Sequence, residues 1–194
     1  MIVGLILAGG RSSRFGREKA LADLDGRPFI AHVLEVLACG CEQIAISVRA
    51  DSLAAAFAAE HALPCLSDAA GDPDGPLAGV KAGLIWAAAV GADVLATAPC
   101  DTPFLPRDMV QVLAEARGAA VARTSDGLQP LCALWPVGAL AEVTAALSSG
   151  DHPTIKQVQK QLKAMEIGFE DASLFDNLNT PADYQSAENR ATRQ

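Results

Sequence analysis

Ile2-Val3-Gly4-Leu5-Ile6-Leu7-Ala8-Gly9-Gly10-Arg11-Ser12-Ser13-Arg14-Phe15-Gly16-Arg17-Glu18-Lys19 is the stretch that decides the fold. It begins with an apolar run, Ile2 to Leu7, that has β-branched content and is short enough for a buried strand. The run empties into a loop holding three glycines, two serines, three arginines and a lysine. Glycine lets a backbone approach a ligand closely and adopt positive φ, so successive N–H groups can turn inward as an anion-binding nest. Arginine and lysine around such a nest supply charge for a polyphosphate. A buried strand running into a basic glycine loop therefore points to phosphate handling.

Spacing excludes two familiar phosphate loops. A P-loop reads G-x-x-x-x-G-K-[ST], but Gly10 and Gly16 stand too far apart and Lys19 does not follow Gly16 directly. The dinucleotide fingerprint G-x-G-x-x-G fails because Gly9 and Gly10 are adjacent. What remains is Leu7-Ala8-Gly9-Gly10-x-Ser12-x-Arg14-x-Gly16-x-x-Lys19.

The rest of the chain sets the context. Its 194 residues suit one α/β domain with a core that needs no disulfide or metal staple. No apolar run approaches the ~18–20 residues of a membrane span, and the start lacks a basic region and cleavage site of the secretory kind. Five cysteines (Cys39, Cys41, Cys65, Cys100, Cys132) show no C-x-x-C spacing, so buried free thiols in a reducing cytoplasm are expected. The net charge of −8 argues against a non-specific nucleic-acid binder. It leaves a nucleotide substrate open, because the first loop is locally basic.

Working outward, strands are expected at 43–48, 63–66 and 92–98, with helices at 28–37, 52–61, 76–90 and 107–116. Alternation of this kind implies a mostly parallel sheet, and ligands bind such sheets at the carboxyl ends of strands. The first loop, the Asp/Gly/Pro-rich segment around Asp68, and Asp101 all follow strands, so all three should converge on one crevice. In Gly75-Pro76-Leu77-Ala78-Gly79, Pro76 can open a helix and the small residues allow close packing on the sheet. Residues 119–123 and 129–135 read as a hairpin-like antiparallel addition, followed by helices at 137–147 and 154–162 and a terminal helix after Pro181. No linker or repeat divides the chain.

Two further features carry chemistry. Asp101 stands just past an apolar strand between Pro99 and Pro103, where a carboxylate facing a polyphosphate is what Mg²⁺ needs. Asn177 and Asn179 put two amides on one face of an extended segment, although Thr180-Pro181 would also suit a helix start that uses them as caps. His32 is expected to be a structural histidine. No nucleophile elbow supports a serine or cysteine hydrolase.

The first-loop pattern resembles the signature of nucleotidyltransferases with a Rossmann-like GT-A fold, and its Leu-Ala-Gly-Gly form resembles the molybdenum cofactor guanylyltransferase family. Matching segments run through nearly the whole chain: Asp68, Gly75 to Gly79, Pro99 to Pro103, Gln129-Pro130-Leu131 and Asn177 to Pro181. The resemblance implies a single three-layer domain over residues 1–194, with a GTP-binding half over about 1–106, a molybdopterin side over about 107–184 and a polar tail over 185–194. It also implies transfer of GMP from GTP to Mo-molybdopterin, with release of pyrophosphate. Leu7, Ala8, Gly9, Gly10, Lys19, Ser47, Asp68 and Asp101 would bind GTP, and Asp101 would hold Mg²⁺. Arg14, Lys19 and Asp101 would carry catalysis, and Asn177 and Asn179 would face the acceptor.

Two positions depart from the family pattern: Ser47, where relatives often have Asn, and Gly150-Asp151-His152-Pro153-Thr154, where an arginine is expected near the pterin. The implied setting is a cytoplasmic monomer or weak homo-oligomer with no nucleic-acid or membrane partner. Molybdoenzyme apoproteins, their chaperones and other cofactor-biosynthesis proteins are the implied further partners. The rival readings are molybdopterin cytidylyltransferase, which usually shows Leu-Ala-Ala-Gly, another small-molecule nucleotidyltransferase, and a catalytically dead nucleotide-binding partner of such an enzyme.

Overall fold

Ile2–Leu7 forms strand β1, and its side chains from Val3 to Leu7 are buried on both faces of a sheet. A strand with no polar side belongs in the middle of a parallel sheet covered on both sides. The computed structural model describes residues 1–9, 19–48, 52–69, 71–149, 154–178 and 183, and of Lys19 the backbone only. Within it, Gln43–Ser47 is β4, Cys65–Leu66 is β5 and Val94–Pro99 is β6. β1 pairs in parallel with β4 on one side and β6 on the other, and β4 pairs in parallel with β5.

The second half extends this sheet in mixed sense. β7 (Ala120–Thr124) and β8 (Gly127–Pro136) form the expected hairpin, with β8 antiparallel to β6. β9 (Met165–Gly168), which the sequence reading left unassigned, joins β7 in parallel. The seven-stranded order is β5-β4-β1-β6-β8-β7-β9. Between β1 and β4, Asp23–Leu24 (β2) and Arg27–Pro28 (β3) make a tiny hairpin around Asp25 and Gly26. Both turn residues take positive φ (55° and 76°), which Asp tolerates and Gly adopts freely.

Helices fill the two faces. α1 (Phe29–Ala38), α2 (Leu53–Glu60) and α4 (Met109–Ala114) cover one face with Ile30, Val33, Leu37, Phe57, Met109 and Leu113. α3 (Pro76–Ala89), α5 (Leu140–Ser148) and α6 (Ile155–Gln161) cover the other with Leu77, Val80, Leu84, Val143 and Val158. Ser52 caps α2 through Ala55 N–H, and Thr154 and Gln157 form a capping box on α6. His32 is structural as expected, its Nε2 lying 3.1 Å from the Leu24 carbonyl and tying α1 to the hairpin. None of the described helices is long and apolar enough to cross a membrane.

The cysteines need a correction. All five are free thiols, but only Cys132 is fully buried; Cys39 and Cys65 are exposed. The reason is position: Cys39 caps the end of α1, and Cys65 lies on the short edge strand β5. Burial still pushes the Cys41 thiol up to about 12.

Close approach of α3 to the sheet depends on two glycines. A Cβ at Gly83 would meet Leu5 Cδ2 at 2.6 Å and Leu95 Cδ2 at 2.8 Å. Both leucines are fully buried in a close-packed core, so neither has space to retreat into. Gly83→Val is expected to lower unfolding free energy by about 1–3 kcal/mol, as overpacking does, read as a drop in the urea midpoint at unchanged slope. An unchanged midpoint would mean that the α3–sheet interface has slack.

Candidate active site

The site starts where β1 ends. Leu7 stands level with Ser47 on β4 and with Pro99 on β6, and Ser47 stands level with Leu66 on β5. Parallel pairing thus delivers four strand ends to one edge. The chain leaving β1 is stitched to both neighbours: Ala8 N–H donates to the Ser47 carbonyl at 2.9 Å, and Cys100 N–H donates to the Leu7 carbonyl at 3.2 Å. Leu7 and Ala8 are buried, and Gly9 emerges exposed. A Cβ at Gly9 would meet no atom of the described residues within 4 Å, so none of them packs against it. Gly10 and Arg14 lie outside the described residues, as does the Lys19 side chain.

Beside this edge, α3 closes down on the strand ends. Gly75 enters the helix at φ 152°, a conformation L side chains rarely adopt, and Pro76 follows as its first residue. A Cβ at Gly79 would lie 2.7 Å from Ser47 Oγ and 3.0 Å from Leu7 Cδ2. The expected close packing of Gly75 to Gly79 is therefore present. It leaves Ser47 only 4% exposed, tucked under the helix as part of the floor.

The loop after β5 presents Asp68. Its residue is exposed, yet crowding by neighbouring protein raises its carboxyl pKa, and the negative charges of Asp72 and Asp74 add to the rise. Asp72 is itself held: Lys81 Nζ reaches both carboxylate oxygens, at 2.8 and 2.9 Å, with both side chains largely shielded from solvent. The sequence reading passed over Lys81. The signal was available, since Lys81 is the sole charged residue on Pro76–Ala89.

Asp101 sits half-buried in the turn after β6. The buried Thr102 hydroxyl donates to the Pro99 carbonyl at 3.0 Å and closes that turn. Leu178 N–H donates to the Asp101 carbonyl at 3.0 Å, so the C-terminal segment is brought to the carboxyl end of β6. Leu178 is 1% exposed and packs with Leu24 and Phe29, flanked by Phe104 and Ala22. That small cluster anchors the neighbouring Asn177, which is exposed; Asn179 lies outside the described residues. On the far side of β6, burial raises the Cys132 thiol pKa strongly, and the charge of Asp101 adds to it.

No group of three or more His, Cys, Asp or Glu side chains is placed to hold a metal ion among the described residues. Asp101 offers one carboxylate, a donor set suited to a cation that keeps waters and completes its shell with phosphate oxygens. A pocket of about 340 Å³ opens next to the Gly75 turn, between Asp74, Pro76 and Leu77 on one wall and Leu147, Thr154 and Ile155 on the other. The departure at 150–153 lies outside the described residues.

Comparison with known proteins shows the family and the fold. Residues 4–165 match the family model of the MobA-like NTP transferase domain. A molybdenum cofactor guanylyltransferase of Cereibacter sphaeroides is 43% identical over 96% of this chain and 95% of its own length. One from Rhodobacter capsulatus is 41% identical over 97% of this chain and 96% of its own. The crystal structure of molybdopterin-guanine dinucleotide biosynthesis protein A from Archaeoglobus fulgidus shares the fold, with a TM-score of 0.77, 23% identity and full coverage of both chains. With its sequence matched over nearly its whole length and its fold matched over all of it, the chain belongs to the MobA-like NTP transferase family.

Proposed function

We propose that the protein transfers GMP from GTP to the terminal phosphate of Mo-molybdopterin, forming molybdopterin guanine dinucleotide and pyrophosphate. The observation that carries this reading is the level set of strand ends, with none of the described residues packed against Gly9, Asp68 to one side and Asp101 to the other. The strands β1, β4, β5 and β6 all fall within residues 1–106, the proposed GTP half, and β7 to β9 within 107–184, the acceptor half.

In this reading Leu7, Ala8, Gly9 and Gly10 lie along the guanine nucleotide, and an absent Cβ at Gly9 leaves room for a large base. Asp68 holds the nucleoside, and Ser47 supports the floor beneath it. Lys19 and Arg14 neutralise the triphosphate. Asp101 holds Mg²⁺, which when bound supplies charge neutralisation on the phosphates. Asn177 and Asn179 face the acceptor, with Leu178 between them as the buried anchor.

The acceptor phosphate monoester has a second pKa near ~6, so it is already anionic at neutral pH and needs no general base. The chain's work is to align two anions and balance their charge in a preorganised site.

Equilibrium binding of GTP, CTP, ATP and UTP in the presence of Mg²⁺ checks the base. A clear preference for GTP is expected, and equal or tighter CTP binding would move the protein to the cytidylyl group. Asp101→Ala is expected to lower kcat by about 10²–10³, the loss seen when one preorganised electrostatic group is removed.

Asp68 generates a second prediction, on stability. Its raised pKa means that the folded state binds the proton more tightly than the unfolded chain. The stabilising contribution is thus fully present below the unfolded value and lost as pH rises through the raised one. Ionised Asp68 is held at a cost to stability. Asp68→Asn should therefore raise the thermal midpoint at pH 7 while weakening GTP binding, and the thermal gain should shrink as pH falls below the carboxylate range. A lower midpoint at pH 7 would show that Asp68 is a structural carboxylate instead.

A further inference from the structure

Strand β8 breaks its ladder beside Asp101. On β7, Val121 pairs with Ala133, but the next residue, Ala122, pairs with Gln129. Pro130, Leu131 and Cys132 therefore have no register partner on β7. Pairing with β6 on the other side runs only from Val94↔Pro136 to Thr97↔Ala133. Bulges of this kind recur next to active sites, where they re-aim side chains. Here the bulge lies across β6 from the nucleotide loops of β1, β4 and β5, on the acceptor side.

A segment freed from its ladder needs other partners. The Pro130 carbonyl accepts from Gln159 Nε2 at 2.7 Å. Because a carbonyl can only accept, the amide nitrogen must face it, which fixes the orientation of the side chain. Gln159 is 3% exposed, and its buried Oε1 has no hydrogen-bond partner among the described residues. Such an unpaired acceptor is costly. Gln159 also stands one helical turn beyond Ile155, which lines the 340 Å³ pocket. Helix α6 thus touches the pocket with one turn and the bulge with the next.

We propose that Gln159 is a positioning residue: by donating to the Pro130 carbonyl it fixes the bulge of Pro130, Leu131 and Cys132 as the acceptor-side wall next to Asp101. The inference rests on the guanylyl-transfer reading and adds to it a residue that acts through β8. Cys132, within this wall, is buried.

The test uses the full chain with GTP, Mg²⁺ and Mo-molybdopterin, and two variants. Gln159→Met keeps the volume and removes the amide, and Gln159→Glu keeps the size and removes the donor. Both are expected to lower kcat/KM for Mo-molybdopterin by about tenfold to a hundredfold, as a misplacement near 1 Å can do. The GTP dissociation constant should stay at its wild-type value in both variants, and both should fold. Wild-type acceptor kinetics in both variants would overturn the proposal. So would a parallel loss of GTP affinity, or failure of both variants to fold, since either assigns Gln159 a purely structural role. An inactive wild type that still binds GTP would strike the guanylyl-transfer reading itself, and this inference with it.

Discussion

The structure depends on the parallel hydrogen bonding of β1 between β4 and β6. Parallel strands point their carboxyl ends the same way, so a strand paired on both sides carries its exit loop to the centre of one edge. The bonds do not stop with the strand. Ala8 N–H still reaches the Ser47 carbonyl, and Cys100 N–H reaches back to the Leu7 carbonyl. The backbone is therefore held in register up to Gly9, against which none of the described residues packs. A ligand placed there meets a rigid backbone whose ordering cost was met on folding.

That rigidity constrains what may pack on the strand ends. Gly79 and Gly83 bring α3 so close that Ser47, Leu7, Leu5 and Leu95 occupy the places their Cβ atoms would take. In the loop before α3, burial raises the Asp68 pKa, and the charges of Asp72 and Asp74 add to the rise. Lys81 relieves part of that charge by clamping Asp72, and it does so largely out of water, where an ion pair is screened least. Asp68 keeps its raised pKa. Groups held at a cost to stability cluster where function needs them.

Much of this was legible in the sequence. The buried run before Gly9, the alternation of strands and helices, and the positions of Asp68 and Asp101 after strands all describe local patterns with fixed periods, and the structure realises them. What was not legible depends on contacts between distant segments. Leu178 reads as a spacer between two asparagines until it is seen packed on Leu24 and Phe29. Strand β9 is short and only partly buried, so its period-2 signal is weak. Cys39 and Cys65 sit in apolar surroundings in the sequence, but a helix end and an edge strand expose them. Lys81 and Gln159 have the same character, since each gains its meaning from a partner outside its own helix, Asp72 or Pro130.

The two halves of the sheet also differ in what they can be asked to do. On the parallel side every strand ends at the ligand edge, so each adds one loop there, and levelness is enforced by the ladder. On the other side, antiparallel pairing sends β8 toward the opposite edge, and it is the start of that strand, Gly127 onward, that lies near Asp101's edge. β8 keeps its β7 pairs on both sides of the bulge, at Gly127 to Gln129 before it and from Ala133 after it, and its β6 pairs lie only beyond it. Val121↔Ala133 and Thr97↔Ala133 remain intact directly after the irregular segment. A regular edge suits a nucleotide, whose phosphates ask for backbone N–H groups at set intervals. An irregular wall suits a bulkier acceptor, whose shape must be matched by side chains, and its irregularity must then be held from outside the ladder, as the buried amide of Gln159 does.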